Sequence, residues 1–366
     1  MIKIGIVGIG DISGIYLKNI SETFKELQII AVCDLIKERA LKAQEKYGIP
    51  KVYDTMYELF ADDEIQLVLN LTRPAEHFEV SKNALLAGKH VYSEKPLGAT
   101  LEEGKELVAL AQEKGLMLGG APDTFMGAGI QTCRRLIDDG VIGDIVGASG
   151  AMICHGHETW HHDPEFYYKR GGGPMMDMGP YYVTALINLM GGVDKVTGVT
   201  KISFPQRTIT SQPLNGTVID VEAPTYITGV LQFESGAIAT LTTTFDVYQS
   251  NSRDIEIYGS KGTIYVPDPN CFGGKITVYD GEKKETVEYP LEFDYAENSR
   301  ALGLADIAKS IETGRRPRTS YKQTFHVLEV MEAFSKSSKE GRTVEIESKF
   351  EREAPMQKNN VHGVLD

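Results

Sequence analysis

The sequence is poor in the residues that stabilise disulfide-rich and metal-clustered proteins. It contains only four cysteines in 366 residues, and none of them form a C-x-x-C pair: Cys33, Cys133, Cys154 and Cys271. Disulfide frameworks and thiolate metal sites need cysteines at closer and more regular spacings. Neither kind of site is indicated, and we expect no metal.

The chain also lacks a long apolar run and an excess of cations. No stretch approaches the ~20 apolar residues that span a bilayer, and the opening MIKIGIVGIG lacks the basic region of a secretory signal. The 51 acidic and 38 basic side chains give a net charge of −13. That charge argues against a nucleic-acid or anionic-membrane surface. We expect a cytoplasmic protein with no nucleic-acid and no membrane partner.

The first third of the sequence alternates buried strands with helices. Strands are predicted at 2–7, 27–33, 65–71, 90–93 and 116–118, with helix-favouring segments between them. This rhythm predicts right-handed βαβ crossovers and a doubly wound parallel sheet. A chain of 366 residues is long enough for two domains, and we place the first at residues 1–121.

Residues 122–366 have a different pattern, in which strands pair through short turns. The segments 225–233 and 237–245 flank one turn, and 255–258 and 263–266 flank another. Such spacing favours hairpins. A helix is predicted at 178–190, and further helices follow the strands. We therefore predict a second α/β domain with an open, mostly antiparallel sheet.

A glycine-rich turn after the first strand predicts a dinucleotide site. Gly8 and Gly10 allow a sharp turn and a close approach of the backbone to a pyrophosphate at the start of the next helix. The third position of the fingerprint holds Ser13, so the match is imperfect, and a turn formed for geometric reasons alone is the alternative. Asp34 ends the second strand, where a carboxylate accepts hydrogen bonds from both ribose hydroxyls and repels a 2′-phosphate. The pattern favours NAD, with NADP possible.

Glu94-Lys95-Pro96 follows the strand at 90–93, at the edge where open α/β sheets bind ligands. Pro96 fixes the backbone after Lys95. An ammonium beside an oxidised nicotinamide has its pKa lowered by the like charge, so Lys95 is a candidate proton acceptor. An exposed Glu/Lys pair in a loop is the alternative.

The motifs together resemble the Gfo/Idh/MocA oxidoreductase family. The resemblance is carried by VGIGDISG at 7–14, by Asp34, by Thr72-Arg73-Pro74 with His77, by Glu94-Lys95-Pro96, and by GGGPMMDMGPY at 171–181. It implies an N-terminal Rossmann domain and a C-terminal domain for substrate binding and oligomerisation. A homo-oligomer, dimer or tetramer, would assemble through the C-terminal sheet.

The resemblance also implies roles for individual residues. Lys95, Asp177 and Tyr181 would be catalytic, and the cofactor would contact Gly8, Gly10, Asp11, Ile12, Asp34, Thr72, Pro74, His77, Glu94 and Lys95. Inositol dehydrogenase-like members have His where this chain has Tyr181, so either Lys95 or Tyr181 is the candidate proton carrier. Four residues apart on one helix, Asp177 and Tyr181 would share a face. Structural roles, with Asp177 as a helix cap and Tyr181 in the core, are the alternative.

The segment His157-Glu158-Thr159-Trp160-His161 fits the H-E-x-x-H zinc-protease pattern. That pattern works only on a helix, and Gly156 before it and Asp163-Pro164 after it argue against one. We interpret the segment as a polar and aromatic loop that binds substrate through His157, Trp160, His161 and Tyr168. An ordinary surface loop is the alternative.

The sequence therefore predicts an NAD(P)-dependent dehydrogenase or reductase that acts on CH–OH groups. The expected partner is a small sugar, polyol or related cyclic substrate. Two alternatives stay open, namely a glycosidase that oxidises its substrate transiently with NAD, and a cofactor-binding regulator without turnover.

Overall fold

The computed structural model describes residues 1–358 and 361–366. The chain forms two compact units. The first unit comprises residues 1–128, 292–328 and 353–366, and the second unit comprises residues 129–291 and 329–352. The first unit thus contains more than the predicted range 1–121, because two later segments of the chain belong to it. The functional roles predicted for 1–121 and 122–366 remain predictions.

A parallel sheet of six strands forms the centre of the first unit, with strand order β3-β2-β1-β4-β5-β6. Its elements are β1 (Ile2–Val7), α1 (Ser13–Glu22), β2 (Leu27–Cys33), α2 (Lys37–Tyr47), β3 (Lys51–Tyr53), α3 (Met56–Phe60), β4 (Leu67–Asn70), α4 (His77–Leu86), β5 (His90–Ser93), α5 (Leu101–Lys114) and β6 (Leu118–Gly120). All five strand pairs are parallel. The doubly wound parallel sheet predicted from the sequence is confirmed.

Local signals in the sequence explain where several of these helices begin and end. The side chain of Thr55 accepts a hydrogen bond from the N–H of Glu58, and the carboxylate of Glu58 accepts one from the N–H of Thr55, which forms a capping box at the start of α3. Thr100 caps α5 in the same way, but the Glu103 carboxylate accepts from the N–H of Ala99 instead of that of Thr100. α2 and α5 end at glycines with left-handed backbone conformations.

The second unit is built on a mixed sheet of nine strands, in the order β16-β15-β14-β13-β7-β12-β11-β8-β17. Its strands are β7 (Ile145–Ile153), β8 (Val193–Lys201), β11 (Tyr226–Phe233), β12 (Ile238–Thr244), β13 (Ile255–Gly259), β14 (Gly262–Val266), β15 (Ile276–Asp280), β16 (Glu285–Tyr289) and β17 (Val344–Glu345), and β9 (Gln206–Thr208) and β10 (Val218–Asp220) form a separate pair. Only the pair β12–β7 is parallel among the described strands of this sheet. The predicted open, mostly antiparallel sheet is confirmed.

The remaining helices are α6 (Ala128–Asp138), α7 (Gly173–Asp177), α8 (Gly179–Met190), α9 (Leu302–Thr313) and α10 (Tyr321–Glu340). α9 belongs to the first unit, and the boundary between the units falls within α10. The search for membrane spans covers residues 1–358 and 361–366, and none of the helices there is both long enough and apolar enough to cross a bilayer.

Candidate active site

The turn after β1 has the geometry that a bound pyrophosphate needs. Gly8 has φ +96°, and a Cβ on it would lie 2.8 Å from the carbonyl carbon of Leu71. A Cβ on Gly10 would meet nothing within 4 Å. The next helix, α1, has no side-chain cap and no acidic residue in its first turn. The start of this helix and the open space at Gly10 therefore fit the phosphates of NAD.

Asp34 connects the glycine turn to the loop after β2. Its Oδ2 accepts a hydrogen bond from the N–H of Ile9 at 2.6 Å, and its Oδ1 accepts one from the N–H of Ile36 at 2.7 Å. A carboxylate oxygen can accept a second hydrogen bond, so both atoms can also accept from ribose hydroxyls. Lys37 is the nearest cation along the chain, and its Nζ pairs with Asp54 at 2.5 Å. No described lysine or arginine forms an ion pair with Asp34.

The loop after β4 is held by Asn70 and His77. The Asn70 Oδ1 accepts hydrogen bonds from the N–H and the hydroxyl of Thr72 at 3.2 and 2.6 Å. The buried His77 ring faces two carbonyl oxygens, with Nδ1 at 2.8 Å from that of Pro96 and Nε2 at 3.0 Å from that of Thr72. Burial lowers the pKa of His77, and a neutral ring donates to one of these carbonyls at a time. His77 thus joins the loops after β4 and β5.

Glu94 holds the backbone at Lys95. The carboxylate of Glu94 accepts hydrogen bonds from the Tyr16 hydroxyl at 2.7 Å and from the N–H of Lys95 at 3.0 Å. Tyr16 is fully buried on α1, and burial, followed by the charge of Glu94, raises its pKa well above the usual value. The phenol therefore stays protonated and donates to Glu94. The sequence analysis did not identify Tyr16 or Asn70, since a single polar side chain in an apolar run is a weak signal.

Asp123 is a buried acid in the loop after β6. Its Oδ2 accepts hydrogen bonds from the N–H groups of Ala301 and Gly303, at 3.1 and 3.0 Å, at the start of α9. Burial raises the pKa of Asp123 from 3.8 to about 6, against the opposing effects of the Gly303 hydrogen bond and of Arg300. Sequence reasoning missed it because its partners lie 178 and 180 positions away.

The Asp123 carboxyl makes stability depend on pH. The pKa of Asp123 is higher in the folded protein than in the unfolded chain. Its contribution to the free energy of unfolding is therefore complete below about pH 4 and is lost as the pH rises through about 6. The difference corresponds to about 3 kcal/mol. Asparagine keeps an acceptor oxygen but does not titrate. We therefore expect the free energy of unfolding of Asp123→Asn to rise by about that amount relative to the wild type between pH 4 and pH 7. Urea unfolding at several pH values measures this, and parallel pH profiles of the two proteins would contradict it.

In the second unit, His157 lies beside Asp177. The Nε2 of His157 is 2.9 Å from the Oδ2 of Asp177. Asp177 is the last residue of α7, and Met178 separates it from α8, where Tyr181 lies in the first turn. The predicted single helix from 178 is thus α8 alone, so Asp177 and Tyr181 are on consecutive helices. The carboxylate of Asp177 contacts a histidine, and the N-cap residue of α8 is Met178, whose side chain does not cap the helix.

The H-E-x-x-H segment forms a 3-10 turn at His157–Thr159 and no α-helix. The helical spacing that brings both imidazoles of that motif to one metal is therefore not formed. Trp160 is exposed, and its ring centroid lies 5.1 Å from that of His157 and 5.4 Å from that of His161. The exposed ring of Trp160 thus lies between the buried ring of His157 and the half-buried ring of His161.

Glu158 and Tyr168 are buried beneath this loop. The Tyr168 hydroxyl donates to the Glu158 carboxylate and accepts from the N–H of His157 at 3.2 Å. Arg207, on β9, donates to Glu158 at 2.8 Å and also forms an ion pair with Asp246. The contacts of Tyr168 support a positioning role within the unit. Its contact with substrate stays a prediction.

Lys95 belongs to the first unit, whereas Asp177 and Tyr181 belong to the second. The structure brings Lys95 together with Glu94, and Asp177 together with His157. The predicted gathering of Lys95, Asp177 and Tyr181 around one cofactor stays a prediction.

Comparison with known proteins identifies the class. Residues 2–120 match the oxidoreductase family with an NAD-binding Rossmann fold, GFO_IDH_MocA, and residues 130–265 match the C-terminal domain of the same family. These two matches cover more than half of the chain. The protein belongs to the Gfo/Idh/MocA family of NAD(P)-binding oxidoreductases. The predicted family, the NAD cofactor and the assignment as an NAD(P)-dependent enzyme are confirmed.

Curated relatives span most of the chain. The chain is 26% identical over 297 residues to trans-1,2-dihydrobenzene-1,2-diol dehydrogenase of Bos taurus, covering 78% of this chain and 79% of the relative. It is 25% identical over 363 residues to scyllo-inositol 2-dehydrogenase (NADP(+)) of Bacillus subtilis, covering 94% and 96%.

Among solved structures, aldose-aldose oxidoreductase from Caulobacter crescentus, complexed with glycerol, has a TM-score of 0.79 at 24% identity and covers 94% of this chain and 99% of its own. Levoglucosan dehydrogenase, in complex with NADH and L-sorbose, has a TM-score of 0.80 at 19% identity and covers 95% and 99%. These likenesses show a common fold.

Proposed function

We propose that the chain oxidises or reduces a secondary alcohol of a sugar, polyol or related cyclic compound. The observation that carries the proposal is that Gly8, Asp34 and Lys95 follow the carboxyl ends of β1, β2 and β5. Parallel strands end at one edge of their sheet, and ligands of open α/β sheets bind there. The relatives named above support the substrate class, because inositols and dihydrodiols carry secondary hydroxyls on rings.

The chain's own residues would then move the proton. Bound NAD supplies the hydride acceptor. The Lys95 amine takes or returns the hydroxyl proton, with Asp177 and Tyr181 beside the same hydroxyl. Glu94 and Tyr16 hold the backbone from which Lys95 extends. His161 supplies polar contacts to a substrate, and Trp160 supplies an aromatic surface for the C–H face of its ring.

The test is a panel of inositols, sugars and cyclic diols, each offered with NAD and with NADP. Turnover is followed at the absorbance band of the reduced nicotinamide. We expect at least one cyclic polyol or sugar to be oxidised, with NAD preferred. If no compound in the panel changes that absorbance while bound NAD is detected by calorimetry, the proposal of a dehydrogenase is wrong.

Asp34 is the proposed determinant of the preference for NAD. Asp34→Ser removes the acceptor of two ribose hydrogen bonds and the charge that repels a 2′-phosphate. A hydrogen bond to a charged group contributes about 1.5–3 kcal/mol. Because two of them are lost, we expect kcat/KM for NAD to fall by at least about 100-fold while that for NADP rises. Asp63→Ser, at an exposed position of the same unit, is the matched control and should leave both values unchanged. If the ratio of kcat/KM for NAD to kcat/KM for NADP is the same in Asp34→Ser as in the wild type, the assignment of Asp34 is wrong.

The assembly and the location are further parts of the proposal. Val146, Val199 and Ile238 are exposed apolar side chains on strands of the nine-stranded sheet, which supports a homo-oligomer formed through that sheet. Light scattering measures the subunit number. The predicted cytoplasmic location stays a prediction.

A further inference from the structure

The contact between His157 and Asp177 joins two segments of the second unit that are 20 residues apart. Its N–O distance is 2.9 Å, and the side chains of His157 and Asp177 are only 11% and 16% exposed. A carboxylate can only accept, so the proton in this hydrogen bond is on the Nε2 of His157. A hydrogen bond to a charged acceptor with little water around it is stronger than one between neutral groups.

The His157 ring is held on several sides. The ring centroids of Tyr167 and Phe245 lie 4.2 and 4.5 Å from it, and both rings are steeply tilted to it. Its Nδ1 is buried and has no hydrogen-bond partner among the described residues. Nε2 is therefore the ring atom through which His157 forms a polar contact, and that contact is with Asp177.

The backbone of His157 is fixed as well. Its N–H donates to the Tyr168 hydroxyl at 3.2 Å, and Tyr168 in turn donates to Glu158. Arg207 binds the other oxygen of Glu158 at 2.8 Å. A buried chain of hydrogen bonds thus runs from β9 to the 3-10 turn and determines where the imidazole points.

We propose that His157 is a positioning residue that acts through Asp177. Its Nε2–H binds the Oδ2 of Asp177 and thereby restricts the Asp177 carboxylate to one orientation. This inference rests on the proposed function, in which Asp177 lies beside the reacting hydroxyl. His157 then contributes to turnover by orienting Asp177 and not by contacting substrate.

Kinetics of two variants test the proposal. His157→Leu removes the donor, and a misplaced catalytic group costs about 100-fold in rate, so we expect that loss in kcat with KM for NAD unchanged. His157→Gln places an amide N–H near the position of Nε2 and should restore at least a third of the wild-type kcat. His362→Gln is the matched control, because His362 forms an exposed pair with Asp294 at 2.6 Å in the first unit. It should behave as the wild type.

A double-mutant cycle separates positioning from a general loss of structure. If His157 works through Asp177, adding His157→Leu to Asp177→Asn causes no further loss in kcat. If the factor by which kcat falls in the double variant equals the product of the factors in the two single variants, the proposal is overturned. So would a His157→Leu protein that turns over as fast as the wild type.

A measurement without turnover distinguishes this inference from the proposed function. In protein labelled with ¹⁵N-histidine, the signal that His157→Gln removes identifies His157 among the eight histidines. We expect the Nε2–H tautomer and a change in that signal in Asp177→Asn. An Nδ1–H tautomer would overturn the pairing, and so would a His157 signal that is unchanged in Asp177→Asn. If the pairing is found but no substrate turns over, the proposed function fails and the catalytic part of this inference fails with it.

Discussion

Replacement of Lys95 by methionine is expected to lower kcat about a thousandfold, because a positioned proton acceptor contributes about 10²–10⁴ in rate. Methionine matches the lysine side chain as far as Cε, with sulfur in place of Cδ, and lacks the amine. The affinity for NAD should change little, since the glycine turn and Asp34 bind the phosphates and the ribose in our proposal. Steady-state kinetics with the best substrate of the panel, together with calorimetric titration of NAD, measure both quantities.

A control for Lys95→Met is Lys349→Met. Lys349 is an exposed lysine whose Nζ lies 3.0 Å from Glu234, and surface ion pairs contribute about 0–1 kcal/mol. That variant should keep the wild-type kcat. If Lys95→Met retains more than a tenth of the wild-type kcat, Lys95 does not carry the proton, and Tyr181 becomes the candidate.

The Arg207→Met substitution is expected to destabilise the second unit by about 3–5 kcal/mol, which is the usual cost of removing one partner of a buried ion pair. Arg207 faces two carboxylates, Glu158 and Asp246, and all three side chains are at most 5% exposed. Without the guanidinium, two negative charges stay buried without a cation. Trp160 is the single tryptophan of the chain and lies in this unit, so its fluorescence reports the unfolding in urea.

Two further variants show whether charge is the cause. Lys169→Met removes an exposed ion pair with Glu222 at 3.0 Å and should cost less than about 1 kcal/mol. Adding Glu158→Gln and Asp246→Asn to Arg207→Met should restore part of the lost stability, because no charge then stays buried. A loss below about 1 kcal/mol in Arg207→Met would contradict the expectation.

The sequence predicts most of the first unit because its signals are local. β2 has the predicted bounds, since its apolar run is visible within a few residues. β3, with three half-exposed residues, was not predicted, and β6 begins two residues later than predicted. Such short strands are stabilised by pairing with neighbours, in this case β2 and β5, and not by their own pattern.

Parts of the candidate site could not be predicted, since they depend on contacts between distant segments. Arg207 lies 49 residues from Glu158 and 39 from Asp246, and no spacing rule connects them. The break at Met178 between α7 and α8 was not predicted either, although Gly179 and Pro180, the first residues of α8, are its local signal. In contrast, the positions of Asp34 and Lys95 after the ends of β2 and β5 agree with the predicted strands, and their roles in the site stay predictions.

The return of residues 292–328 to the first unit has a consequence for synthesis on the ribosome. The N–H of Gly120 donates to the carbonyl of Thr319, and Asp123 accepts from Ala301 and Gly303. The six-stranded parallel sheet therefore lacks contacts of its edge strand β6 until Thr319 has been translated. We expect residues 1–128 to stay sensitive to proteases until that stage, so that the cofactor pocket matures only after Thr319 has been translated.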